Sequence, residues 1–401
     1  MRDLLPILKS LKSNYTAALL FVLQVAITFT ILVNAIFLAM EKQSVIARAS
    51  GLDEDNVFYV ATNLPVSDDE KAAQLEQDLI KINEIVGVKS AAVSSGIPLT
   101  GWGRLVEVAV NPDTKYDTFS GYYGGDIKLL NSFGAHIVAG RGFILGEELT
   151  ARVDGYNYAT EAIVTKTLAH SLFDTQWQSI VGKTLYINNK PQRIVGVVDT
   201  LQAAWPSWVV VEHGVISAVK ETDGIINFVV RTEPNTQQQV MAQTLEYLMS
   251  VYGRKIDKYE TFNAVKKRAY SAENAASKTL FGVIFGLLMV TTLGIYGQSR
   301  YGIVKRVKLI GIRRAMGASK GEIMRYFMLE NVILTCVGVI LGIISAIVLS
   351  ITFSNAFELG TVPPSYMLYG SLCTLLLGQV AVLYPAFRAA QLPPAIATRI
   401  V

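Results

Sequence analysis

The chain has 401 residues, a formal net charge of +4 and 51% apolar side chains, only slightly above a globular average. So small an excess of positive charge calls for no nucleic-acid partner, and the two cysteines, Cys336 and Cys373, are too few for a disulfide scaffold. How the apolar residues cluster is more informative than their total, because four runs without Asp, Glu, Lys or Arg are each long enough for a bilayer, which needs roughly 20 residues.

A cationic opening, residues 1–14 with Arg2, Lys9 and Lys12, precedes the first run, Tyr15–Met40. That run is too long for a cleaved signal peptide and has no small-residue site at its end, so it reads as a retained signal anchor. Residues 41–278 form a long outside segment. At its two ends, residues 41–52 and 262–278 read as polar helical stalks or, alternatively, as flexible linkers. Between them the pattern is mixed α and β. "NVFYVAT" alternates like a strand. Ser67 and Glu70 then form a capping box for a helix with Leu75, Leu79, Ile82 and Val86 at helical spacing, which Gly87 closes. "VKSAAVSSGIPL" is a second strand, and "GIINFVVRT" followed by "NTQQQVMAQTLEYLMSVYG" repeats the strand–helix order. The middle has another texture: "EAIVTKTLAHSLFD" is a strand leading into a helix, and "VGKTLYINNKPQRIVGVVDT" is two strands about an Asn-Asn-Lys-Pro turn. Two lobes follow, one from about 53–112 and 222–261, the other inserted at about 113–221.

The second apolar run is Thr279–Gly297, the third Asn331–Phe353 and the fourth Tyr366–Ala386. The connection 298–330 carries Arg300, Lys305, Arg306, Lys308, Arg313, Arg314, Lys320 and Arg325, faced by Glu322. The short loop 354–365 has no base, and the tail 387–401 has Arg388 and Arg399. Because cationic loops stay in the cytoplasm, both termini and the 298–330 connection are expected on that side. Gly282 with Gly286 and Gly338 with Gly342 are small-residue pairs suited to helix packing.

Catalytic motifs are missing from the sequence. "VGKT" at Val181–Thr184 lacks the earlier glycine of a phosphate loop, with Trp177 in its place. His136, His170 and His213 have no metal-ligand spacing, and no Gly-x-Ser-x-Gly elbow occurs. If Leu309–Met316 is helical, Leu309, Ile312 and Met316 form a narrow apolar stripe with Arg313 beside it and Arg314 further round, a surface that could enter a groove on a partner.

The four-span plan, the outside domain after span one and "IGIRRAMGAS" (Ile310, Gly311, Ile312, Arg313, Arg314, Ala315, Met316, Gly317, Ala318, Ser319) together resemble the MacB/FtsX-like permease subunits of ABC transporters. Glu330, the glycines of span three and "YPAFRAAQLPPAIATR" extend the resemblance, as do "GRGF" and the 164–200 stretch, which are similar to the MacB branch. FtsX itself has a smaller outside domain. The resemblance implies a four-helix α-helical membrane protein with an α+β periplasmic domain, made of a porter-like and a Sabre lobe, inserted between helices 1 and 2. It implies a multi-pass protein of the bacterial inner membrane working by type VII mechanotransmission. Ile310–Ser319 would be the coupling helix on a cytoplasmic ABC ATPase subunit. ATP and Mg would reside on that separate partner, so the chain itself would not be an enzyme. Export would engage a periplasmic adaptor and a TolC-like outer-membrane channel. Lipoprotein release and a signalling or regulatory complex are alternatives with the same plan. Two positions depart from the family pattern: Leu309 stands where an acid is usual, and Phe387 where a second Arg is common. They leave open whether a second copy or a non-identical permease completes the dimer.

Overall fold

A computed structural model describes residues 7, 15–151, 159–222, 224–357 and 360–393. Most of segment 1–14, residues 358–359 of the short loop and 394–401 of the tail lie outside the described residues. The chain divides into two compact units, Met1–Ile46 with Glu273–Val401, and Ala47–Ala272.

The long first helix, α1 (Tyr15–Ile46), is followed by the elements of the inserted unit. These begin with β1 (Val57–Asn63), α2 (Asp68–Glu84), β2 (Val88–Ser94), β3 (Arg104–Ala109), β4 (Thr118–Gly124), α3 (Leu129–Phe133), β5 (Ile137–Gly140) and β6 (Leu149–Ala151). Next come β7 (Glu161–Thr165), α4 (Lys166–Phe173), β8 (Thr184–Ile187), β9 (Lys190–Val198), β10 (Gly214–Ser217) and β11 (Val219–Glu221). The unit closes with β12 (Ile226–Thr232), α5 (Gln237–Ser250), β13 (Lys255–Thr261) and α6 (Phe262–Ala269). The chain then returns to α7 (Ser271–Lys305), α8 (Val307–Ala315), α9 (Lys320–Phe357) and α10 (Pro364–Ala390).

Four helices, α1, α7, α9 and α10, are long and apolar enough to cross a membrane. Each outruns its apolar core, because backbone hydrogen bonding continues into polar flanks that carry no interior proline. Phe21, Val25, Phe29 and Val33 of α1 meet Val339 and Ala346 of α9 and Val382 and Ala386 of α10 in one core. Beyond the apolar runs, the Gln43 side chain on α1 donates to Ser277 Oγ on α7 at 2.9 Å.

In the inserted unit the strand–helix–strand pieces from its two ends form one antiparallel sheet, β13-β1-β12-β2. This is a split β-α-β arrangement with α2 and α5 packed on the sheet. The Ser67–Glu70 capping box is present at the start of α2. Under α2 and α5, Asp78 and Arg254 form an ion pair with side chains 0% and 2% exposed, and the Tyr247 hydroxyl donates to Asp78 at 2.9 Å. A second, seven-stranded sheet runs β5-β9-β7-β10-β4-β3-β8, and β8 also pairs with β9, which closes six of these strands into a ring. The β8–β9 connection is a two-residue turn at Asn188 and Asn189, both with positive φ (46° and 62°). Asparagine tolerates this conformation, and the turn's twist matches that of the paired strands.

Two boundaries read from the sequence shift. Strand β3 pairs with β4 and β8 and so belongs to the second sheet, which moves the lobe border from 112/113 to the 95–103 connection. An isolated alternating strand such as "RLVEVA" carries no mark of which sheet will accept it. The expected stalks are also shorter than 41–52 and 262–278. Helix α1 stops at Ile46, and α6 is a separate helix, N-capped by Thr261 and ended at Tyr270 before α7 begins.

Candidate functional site

The cationic connection between α7 and α9 folds into a short helix held in a rigid frame. Arg306 leaves helical geometry (φ −112°, ψ 13°) and separates α7 from α8. At the other end Gly317 adopts φ +96° with no atom near its would-be Cβ, so the requirement there is purely conformational. The Gly317 amide donates to the Arg314 carbonyl (3.1 Å) and the Ala318 amide to the Arg313 carbonyl (3.0 Å), a Schellman closure. Ser319 then caps α9: its Oγ accepts from the Glu322 amide (3.2 Å), while Glu322 accepts from the Ser319 amide (2.8 Å).

One face of α8 is anchored. Ile310 (3% exposed) and Gly311 are buried, Ile310 among Ile303, Ile323, Tyr326 and Phe327. The opposite face is apolar and open, with Leu309, Ile312 and Met316 at 46%, 44% and 76% exposure and Ala315 beside them. The arginines do not flank that stripe as free cations. Arg313 stacks its guanidinium 4.7 Å from the Tyr326 ring centroid, and Arg314 reaches back to the Ala318 carbonyl at 3.4 Å. Both side chains brace the turn, because planar guanidinium groups favour stacking and carbonyl contacts where water is partly excluded. Ala318 is half-buried against the core.

A buried ion pair fixes the joint above α8. Arg306 donates to both carboxylate oxygens of Glu330 on α9, at 2.7 and 2.9 Å. The two side chains are 14% and 10% exposed, so the paired charges compensate one another out of water. Deeper in the bundle, Thr28 and Thr291 share a 2.9 Å hydrogen bond, and the Gln298 amide donates to Gln24 Oε1 at 3.1 Å. Gln24 fits because residue 294 is glycine, where an added Cβ would lie 2.1 Å from its amide nitrogen. Sequence reasoning missed the Arg306–Glu330 pair and the Gln24 network, since their partners lie 24 and 274 residues apart. The Ser319–Glu322 cap was readable by the rule that found Ser67–Glu70.

The four glycines of the two small-residue pairs divide into two kinds. A Cβ on Gly338 would stand 2.7 Å from Val25 Cβ, and one on Gly342 would stand 2.9 Å from Phe29 Cβ, so these glycines let α9 close on α1. Gly282 and Gly286 on α7 have nothing within 4 Å of the same position. Elsewhere, Lys183 of the phosphate-loop lookalike lies over the Phe173 ring, and His213 is buried with its Nδ1 near the Phe119 carbonyl. Among the described residues no group of three or more His, Cys, Asp or Glu gathers as a metal site.

Comparison with known proteins agrees with this architecture. The chain matches the MacB-like periplasmic core domain over residues 16–247 and the FtsX-like permease C-terminal domain over 281–394. The ABC transporter permease YknZ of Bacillus subtilis is 23% identical over 376 residues, covering 90% of this chain and 88% of that protein. The macrolide export ATP-binding/permease protein MacB of Pasteurella multocida is 23% identical over 370 residues, covering 89% of this chain but 53% of that protein. The chain thus spans about half the length of that MacB. Among solved structures, the periplasmic region of MacB from Actinobacillus actinomycetemcomitans aligns with 56% of this chain and 97% of its own, at 14% identity and a TM-score of 0.34. With four membrane-length helices, an inserted α/β domain and both family domains in sequence, the chain belongs to the MacB/FtsX-like family of ABC transporter permeases.

Proposed function

We propose that this chain is the mechanotransmitting permease subunit of an ABC exporter and that α8 is its coupling helix on a separate cytoplasmic ATPase subunit. The observation that carries this reading is the open stripe Leu309–Ile312–Met316 on a helix otherwise clamped at both ends. An exposed apolar stripe is costly in water and gains when a groove covers it. Clamping matters equally: a push on a loosely tethered helix would be lost in its own motion, whereas α8 is tied to α9 by Arg306–Glu330, by the Gly317 turn and by Arg313 on Tyr326. ATP and Mg bound by the partner supply the energy, and this chain converts it into helix displacement. In this reading both termini and the 298–330 connection are cytoplasmic, as the cationic loops imply, and the inserted domain faces the periplasm. The inner membrane is its site, a second copy or a non-identical permease completes the dimer, and an adaptor with a TolC-like channel completes the export route.

The test replaces Leu309 and Ile312 together with Asp and purifies the full chain from its native membrane. The ATPase subunit that accompanies the unmodified chain should be lost, while membrane insertion and thermal midpoint stay unchanged. Retention of the ATPase at full occupancy would refute the docking assignment. Arg314→Glu is a poorer probe, because that side chain also braces the turn at Ala318.

A further inference from the structure

Two arginines from different helices converge on one cleft. It opens between the ends of α7 and α10, encloses about 680 Å³, and is lined by Tyr296 and Arg300 from α7 and by Tyr384 and Arg388 from α10. The Arg388 Nε donates to the Tyr384 hydroxyl at 3.4 Å, and Arg300 lies within electrostatic reach of the same hydroxyl. The Tyr296 and Tyr384 rings stand 6.4 Å apart. No Asp or Glu lines the cleft. Among the described residues no carboxylate pairs with either guanidinium, and Glu330, which lines the neighbouring cavity, is engaged by Arg306.

Composition sets the level of this cleft in a membrane. Arg300 stands three residues past the apolar run that ends at Gly297, and Arg388 two residues past the run that ends at Ala386. At about 1.5 Å per residue, both lie within one helical turn of the hydrocarbon boundary, where headgroups begin. Tyrosines such as Tyr296 and Tyr384 belong at that boundary. Further into the span the same helix faces are apolar and exposed. Met289 and Leu293 precede Tyr296 and Arg300 at helical spacing on α7, and Leu376 and Val380 precede Tyr384 and Arg388 on α10. The cleft thus offers positive charge at one level and apolar walls at the next.

We propose that this cleft binds one anionic phospholipid, its phosphate held between Arg300 and Arg388 and its acyl chains laid along the exposed faces of α7 and α10. A phosphate diester supplies the negative charge that the acid-free lining lacks, and the planar fork of a guanidinium suits phosphate oxygens. The attached chains cover apolar stripes that a soluble anion would leave bare. Arginines that only marked the cytoplasmic side would have no reason to share a cleft, whereas a basic pocket between membrane helices suits an anionic headgroup. Val307, the first residue of α8, also reaches the cleft, so a bound lipid braces the start of that helix against α10. The inference rests on the membrane crossing of α7 and α10, not on the coupling role of α8.

The full chain, stripped of lipid in a neutral detergent, is titrated with phosphatidylglycerol, phosphatidylcholine or inorganic phosphate, and bound molecules are counted by native mass spectrometry. Phosphatidylglycerol should bind at one molecule per chain and more tightly than phosphatidylcholine. Arg300→Gln and Arg388→Gln should each weaken phosphatidylglycerol about fivefold, and together about 25-fold, towards the level of phosphatidylcholine. Both arginines are exposed, so the thermal midpoint without lipid should stay unchanged. Lys320→Gln removes an exposed cation of the 298–330 connection outside the cleft and should leave the affinity unchanged. Equal phosphatidylglycerol affinity of the double variant and the unmodified chain would overturn the proposal, as would equal affinity for the two lipids. Inorganic phosphate that displaces phosphatidylglycerol at equal concentration would overturn the lipid assignment in favour of a soluble anion. Loss of dimers without loss of lipid in the double variant would overturn it in favour of a second copy over the cleft.

Discussion

Gly338 and Gly282 are equivalent in the sequence, each the first of a Gly-x-x-x-Gly pair in an apolar run, and the structure gives them opposite fates on substitution by alanine. In either helix, Ala gains roughly 0.5–1 kcal/mol over Gly from reduced backbone freedom, so this term cancels when the two variants are compared. At Gly282 the new methyl meets nothing within 4 Å, so only the gain remains. At Gly338 it would stand 2.7 Å from Val25 Cβ and 3.1 Å from the Val22 carbonyl oxygen. Ordinary carbon contacts are about 3.5–4.0 Å, so α9 must retreat from α1 by nearly 1 Å or Val25 must leave its rotamer. Overpacking of that kind costs about 1–3 kcal/mol, and the two variants should differ in stability by about that amount. Unfolding of the full chain in detergent, followed by circular dichroism over a denaturant series, measures the difference. Val25→Ala, combined with Gly338→Ala, should recover part of the loss. Equal midpoints for Gly338→Ala and Gly282→Ala would show that the α1–α9 contact does not depend on that glycine.

Met316→Ala removes a side chain that is 76% exposed; if a partner groove covers it, ATPase affinity should fall by ~1–2 kcal/mol, about tenfold, with stability unchanged in a thermal scan. Asp78→Ala leaves Arg254 buried without its carboxylate and should destabilise the inserted domain by about 3–5 kcal/mol, measured by denaturant unfolding. Asp126, buried and accepting from the Val93 and Lys128 amides, has its pKa pushed up to about 6, chiefly by burial. The folded chain therefore holds this proton more tightly than the unfolded chain. Its contribution is favourable at acidic pH and is lost as pH rises from about 4 through 6. Compared with Asp126→Asn, the unmodified chain should lose stability across that window in a pH series of thermal midpoints, and a parallel course for both would refute the assignment.

The sequence by itself determined the elements whose cause is local. Bilayer-length runs are set by composition, the start of α2 by Ser67 and Glu70, and the β8–β9 turn by two asparagines. The apolar stripe of α8 was also legible, because helical spacing alone places Leu309, Ile312 and Met316 on one side. Tertiary structure decided what depends on distant partners. It assigned β3 to the second sheet, turned Arg313 onto Tyr326, joined Arg306 to Glu330, and gave Gly338 but not Gly282 a neighbouring helix. It also brought Arg300 and Arg388, from separate helices, to one cleft. Periodicity records which face of an element is apolar, but only the packed chain determines what that face meets, since one stripe or one glycine fits several neighbours equally well.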